Sequence, residues 1–185
     1  MRQLIVLPGN SPQNEAWGDV AVGHTHVWFE HVHAQAYDHW ETSEQWIDME
    51  RELTKLGETV AAAPTDAEFV IFAKSVGSIL TFEAVHRGII APVRCAFFGI
   101  PFDMAAERYF AADWSAVDTF SVPSVAFHNR NDPTADHDIT GKTIEQHAAG
   151  VIMFVSTDGD DHAYFDFATY EPYLTQLLDA DTATN

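Results

Sequence analysis

The sequence is poor in cysteine, in basic residues and in long apolar runs, and each shortage removes a class of protein. Cys95 is the only cysteine, so no intrachain disulfide forms and no cysteine-based metal spacing exists. It sits in the apolar run Val93–Phe98 and reads as a core residue. Lysine and arginine together number 9 against 28 aspartates and glutamates, for a net charge of −19 over 185 residues. A chain this acidic repels phosphate backbones and anionic membrane surfaces, so neither nucleic acid nor membrane is an expected partner. No run of about 18 apolar residues is present. The first apolar stretch, Leu4–Leu7, turns polar at once and lacks the pattern of a secretory signal, so a soluble, cytoplasmic protein is expected. His-Glu-x-x-His and the Walker and Gly-x-Gly-x-x-Gly patterns are also missing.

What is present is a core-forming composition, 46% hydrophobic and 12% aromatic, in a chain that one α/β domain over 1–178 accommodates. A polar tail is expected over 179–185. Short apolar runs alternate with longer segments of helical pattern, the signature of β-α units around a parallel sheet. The expected strands are Gln3–Leu7, Thr25–His31, Phe69–Ala73, Arg94–Gly99, Ser124–His128 and Val151–Ser156. Most are apolar throughout, as strands covered on both faces are. The expected helices are Pro12–Val20 with Ser11 as cap, Ser43–Leu56 stopped by Gly57, Ser78–Arg87, Asp138–Ala148, and Ala163–Leu178 with a kink or break at Pro172. Phe102–Phe120 reads as a short helix and a loop roofing a pocket.

The segment Phe69-Val-Ile-Phe-Ala-Lys-Ser-Val-Gly-Ser78 carries the strongest chemical signal. A β-branched and aromatic strand leads into small-x-Ser-x-Gly and then a helix, the context of a nucleophile elbow centred on Ser75. Such a turn holds the serine in a strained conformation, so its neighbours two residues away, Ala73 and Gly77, have to be small. The hydroxyl would project at the start of the following helix, whose dipole favours developing negative charge. A serine nucleophile needs a base, and the base needs an orienting carboxylate. The fifth strand runs into Asn131-Asp132-Pro133, and the sixth runs into Gly159-Asp160-Asp161-His162. Asp132 and His162 are therefore expected on successive loops at the sheet edge that presents Ser75. Asp136, Asp158, Asp160 and Asp161 offer alternative carboxylates on the same rim. Lys74, next to Ser75, reads as a solvent-facing lysine or as a cation favouring acidic substrates.

In the order Leu7-Pro-Gly-Asn10, Ala73-Lys-Ser-Val-Gly77, Asn131-Asp-Pro133 and Gly159-Asp-Asp-His162, the chain resembles the small α/β-hydrolases. It is similar among them to the retinoblastoma-binding serine hydrolase group. The resemblance implies a three-layer α/β sandwich with a six-stranded parallel sheet in the order 2-1-3-4-5-6. It implies Ser75 as nucleophile, His162 as general base and then acid, and Asp132 as the group that fixes the imidazole. The oxyanion hole would be formed by the amides of Asn10 and Val76. The expected activity is hydrolysis of small carboxylic esters through an acyl-enzyme, with no cofactor and no metal. A non-catalytic binding module on the same scaffold is the rival from another class.

The histidine-rich stretch His24, His26, His31, His33 and His39 raises the separate question of a metal. Histidines two apart on a strand share a face, but no third ligand can be identified. The tryptophans read as core, with Trp40 and Trp46 near enough to the second helix to reach a pocket rim.

Overall fold

The structure, a computed structural model, describes residues 1–111 and 113–180. Six parallel strands form one sheet: β1 (Arg2–Leu7), β2 (His31–Ala34), β3 (Glu68–Lys74), β4 (Arg94–Phe98), β5 (Ser124–Asn129) and β6 (Ile152–Thr157), in the order β2-β1-β3-β4-β5-β6. The helices are α1 (Asn14–Thr25), α2 (Met49–Ala62), α3 (Val76–His86), α4 (Phe102–Arg108), α5 (Ser115–Asp118), α6 (His137–His147) and α7 (Phe167–Asp179). A 3-10 turn, Asp38–Glu41, precedes α2.

The two-residue period of the strands divides the core into two layers. Ile5, Leu7, Ile71, Ala73, Cys95 and Phe97 face one layer, shared with Leu53 and Leu56 of α2 and Ile79 and Phe82 of α3. Leu4, Val6, Val70, Phe72, Ala96 and Phe98 face the other, shared with Trp17 of α1 and Tyr170 and Leu174 of α7. The central strands are buried on both sides, which is why their middle positions, Phe69–Ala73, Cys95–Phe98 and Val125–Phe127, are apolar or small on both faces. Burial pushes the Cys95 thiol far above its ordinary pKa, consistent with an inert core residue. No described helix is long and apolar enough to cross a membrane.

The boundaries of four elements differ from the sequence reading. The second strand is His31–Ala34, not Thr25–His31, because α1 runs on to Thr25. The Thr25 hydroxyl donates back to the Ala21 carbonyl, and Phe29 drops into the core rather than into the sheet. The strand that remains, His-Val-His-Ala, is polar because it is an edge. The second helix starts at Met49, capped by Asp48 accepting from the Arg51 amide. It passes through Gly57, since the apolar stripe Leu53, Leu56, Val60 continues beyond it. That burial outweighs the ~1 kcal/mol a helical glycine costs. The first and last helices start later than expected, at Asn14 and Phe167. Residues 11–13 form a turn in which the Ser11 carbonyl accepts from the Asn14 amide. The span ahead of α7 is an irregular loop containing Tyr164 at φ 56. Pro172 lies inside α7, where it removes one helical hydrogen bond. Of the expected tail, Asp179 closes α7 and 181–185 lie outside the described residues.

The order of strands reverses between β1 and β3. The loops leaving these two neighbours diverge, and in open α/β sheets the crevice so formed is where ligands bind.

Candidate active site

Ser75 follows the last residue of β3 and is the N-cap of α3, at φ 51, ψ −124, a backbone conformation non-glycine residues rarely hold. Packing on three sides maintains it. The Ser75 amide donates to the Phe98 carbonyl at 2.9 Å, its carbonyl accepts from the Ser78 amide at 2.9 Å, and the start of α3 presses against the exit of β1. At Gly77 a Cβ would stand 2.2 Å from the Leu7 carbonyl oxygen. The small residue after the serine is thus dictated by the approach of α3 to the β1 backbone. The same contact brings the Asn10 loop beside the elbow.

Asp132 and His162 are joined directly, Oδ2 to Nδ1, at 2.7 Å. The carboxylate accepts four hydrogen bonds. Oδ1 takes the Thr134 and Ala135 amides at 2.8 and 3.0 Å, and Oδ2 takes His162 and, at 2.7 Å, the Tyr164 hydroxyl. Burial alone would raise this carboxyl. The bond and charge of His162, helped by the Thr134 amide and the Tyr164 hydroxyl, outweigh it and hold the pKa at about 2. Three of the alternative carboxylates do other work. Asp136 caps α6 through the Ile139 amide, Asp158 pairs with Arg130, and Asp161 accepts from the Ala163 amide.

A carboxylate on Nδ1 fixes the proton there and leaves Nε2 as the basic nitrogen. That atom is buried and has no hydrogen-bond partner among the described residues, so Ser75 is not bonded to it. Both residues adjoin the end of β4. Phe98 holds the Ser75 amide, and a Cβ on the next residue, Gly99 (φ 61), would stand 2.9 Å from His162 Cε1.

Asn10 is fastened from both ends. Its carbonyl accepts from His39 Nε2 at 2.6 Å and Trp40 Nε1 at 2.8 Å, and its side chain bridges the Gln45 carbonyl and the Ile47 amide. Val76 is the first residue of α3, so its amide has no acceptor within the helix. Neither amide donates to another protein group among the described residues.

Lys74 is buried, 3% exposed, which overturns the reading of it as a solvent-facing residue. The register of β3 turns its side chain toward α1, where the ammonium donates to Asn14 Oδ1. Burial lowers its pKa to about 8 against the opposing pull of Asp132 and Asp161. Beside it is a cavity of ≈ 320 Å³ lined by Asn14, Trp17, Lys74, Asp161, His162 and Phe165. A larger hollow of ≈ 650 Å³ between the end of β6 and α7 includes neither Ser75 nor His162.

No protein-family profile matches the chain, and a search of curated proteins finds no match. Solved structures do match. A Butyrivibrio proteoclasticus Est1E with ferulic acid bound superposes with a TM-score of 0.70 at 12% identity, covering 96% of this chain and 90% of that one. The α/β-hydrolase domain-containing protein 10 from mouse gives 0.68 at 11% identity, with 99% and 90% covered. Acyl-protein thioesterase 2 from Zea mays gives 0.62 at 11%, with 96% and 94% covered. The chain has the α/β-hydrolase fold. The narrower likeness to the retinoblastoma-binding serine hydrolases is carried by the sequence motifs alone.

On this α/β-hydrolase scaffold the histidine-rich stretch is dispersed. His24 lies against Glu171, His33 against Thr59, and His39 on the Asn10 carbonyl. Among the described residues no group of three or more His, Cys, Asp and Glu is placed to hold a metal. Nothing local in the sequence marks Asn14 or Tyr164, and His39 stands out there only as one of a run of histidines, not as a holder of the Asn10 loop. His39 and Trp40 sit in the 3-10 turn after β2, and only the fold reveals that this turn reaches the loop after β1. Tyr164 carries no motif and is distinguished only by following His162 by two positions.

Proposed function

We infer that this protein is a serine hydrolase that cleaves small carboxylic esters through an acyl-enzyme. The observation that carries the reading is the Asp132-bound His162. Its Nδ1 is committed to the carboxylate, and its buried Nε2 lacks a partner beside the strained turn that presents Ser75.

In this reading Nε2 takes the Ser75 proton as the hydroxyl oxygen attacks the ester carbonyl. The free amides of Asn10 and Val76 receive the oxyanion, and protonated His162 gives its proton to the departing alcohol. The imidazole then takes a proton from the water that attacks the acyl-enzyme, and returns it to the Ser75 oxygen as the acyl–oxygen bond breaks and the acid is released. A missing Ser–His hydrogen bond before substrate arrives is compatible with this, because such contacts tighten on binding.

Among the described residues, the segment between β4 and β5 holds only the short helices α4 and α5, with no large lid, which favours small soluble esters over long acyl chains. Exposed Asp158 and Asp161 near the His162 loop disfavour anionic substrates. The comparison structures include a pyrethroid hydrolase and an acyl-protein thioesterase, and this supports a hydrolase in general terms.

A fluorophosphonate probe with mass mapping tests the reading. Labelling of Ser75 in the folded protein, lost in Ser75→Ala together with turnover of short p-nitrophenyl esters, is the expected result. Absence of labelling with the protein folded would leave a binding module as the better description.

A further inference from the structure

We propose that Tyr164 is a positioning residue of the same site. Its hydroxyl locks the Asp132 carboxylate in the orientation from which it holds His162. The inference rests on the hydrolase reading and extends it to a residue outside the Ser-His-Asp set.

The hydroxyl is placed as a relay. It accepts the Asn129 amide at 3.0 Å and donates to Asp132 Oδ2 at 2.7 Å, the oxygen that receives His162 Nδ1. It therefore connects the backbone at the end of β5 to the carboxylate that follows it. Both the ring and the backbone of Tyr164 are held as well. Its ring fills the space that the absence of a Cβ at Gly99 leaves, where a methyl would stand 2.6 Å from Tyr164 Cε2. Its carbonyl accepts from Trp17 Nε1 at 3.1 Å. These contacts keep the residue at φ 56, a conformation unfavourable for a tyrosine, and strain maintained by surrounding structure is a mark of functional positions. Burial and the charge of Asp132 push the phenol far above its usual pKa, so it remains a donor wherever the enzyme folds.

The consequence is geometric. Thr134 and Ala135 hold Oδ1 alone. Without the Tyr164 bond, the second oxygen is fixed only by the imidazole it is meant to orient. Misplacing a base by a fraction of an ångström slows the chemical step while leaving ground-state binding nearly untouched.

The test is a double-mutant cycle of Tyr164→Phe and Asp132→Asn, read as p-nitrophenyl acetate kinetics and as the single-turnover rate of Ser75 labelling by a fluorophosphonate. Tyr164→Phe should lower kcat about tenfold with KM within about twofold. In the Asp132→Asn background it should have no further effect, since the hydroxyl acts through the carboxylate. Unchanged kcat, or losses that multiply across the pair, would overturn the proposal. Trp17→Phe, which frees the Tyr164 carbonyl but spares the hydroxyl, separates loop rigidity from the hydrogen bond. A labelling rate within about twofold of wild type supports the proposal, and a loss equal to that of Tyr164→Phe counts against it. Should Tyr164→Phe not fold, 3-fluorotyrosine at 164 replaces it and must change the labelling rate. Turnover retained in Ser75→Ala would instead defeat the hydrolase reading itself, independently of Tyr164.

Discussion

Asp132 and His162, 30 positions apart in the chain, meet at 2.7 Å through Oδ2 and Nδ1, and this one bond decides which imidazole nitrogen can act as a base. Asp132→Asn replaces the acceptor by an amide that can present its NH₂ to Nδ1 and turn the imidazole to the other tautomer. Turnover of short esters should fall by about 10³–10⁴-fold, with the folded structure retained, as steady-state kinetics alongside circular dichroism would show.

Gly77 is fixed by the approach of α3 to β1, so Gly77→Ala tests the elbow from its structural side. The added methyl has the backbone oxygens of Leu7 and Pro8 at 2.2 and 2.7 Å, neither of which can move without breaking the sheet. Loss of about 3 kcal/mol or more in urea unfolding is expected, together with loss of Ser75 labelling. A variant as stable and as reactive as wild type would contradict the packing described.

Asn10 offers a milder perturbation. Asn10→Ala deletes the bridge to Gln45 and Ile47 but keeps the backbone carbonyl that binds His39 and Trp40. Stability should drop by about 1–2 kcal/mol. If the Asn10 amide receives the oxyanion, kcat should fall by about tenfold through displacement of the loop, with KM little changed. Equal losses in kcat and substrate affinity would point instead to a binding role.

Lys74 predicts a pH dependence of stability. Its folded pKa of about 8 lies below the ordinary 10.5, so between these values the unfolded chain carries a proton the folded chain has released. Stability therefore rises with pH across this window, by an amount of order 3 kcal/mol for this group. Urea titrations from pH 7 to 10.5 on wild type and Lys74→Met isolate the effect, because other groups cancel in the difference. The variant should lack the rise. Parallel curves would show that the ammonium is better solvated than its burial implies.

Much of the architecture follows from local pattern. Strands such as Phe69–Ala73 are apolar on both faces and so announce a doubly covered parallel sheet, and small-x-Ser-x-Gly between strand and helix announces the elbow. That Asp132 and His162 share one rim was legible because each lies in the loop that follows a strand, and parallel strands deliver their exits to one edge. The second strand and second helix were misread for an opposite reason. An edge strand needs no apolar run, and a helix persists through glycine when its buried stripe continues.

Sequence order thus determined which residues share the sheet's carboxyl edge, because β-α repetition aligns all strands in one direction. Only the tertiary structure decided which partners each of them takes. It turned Lys74 inward to Asn14, set His39 and Trp40 on the Asn10 carbonyl, and gave Tyr164 to Asp132. Those pairings join segments distant in the chain, and they depend on side-chain direction and close approach, which no local periodicity encodes.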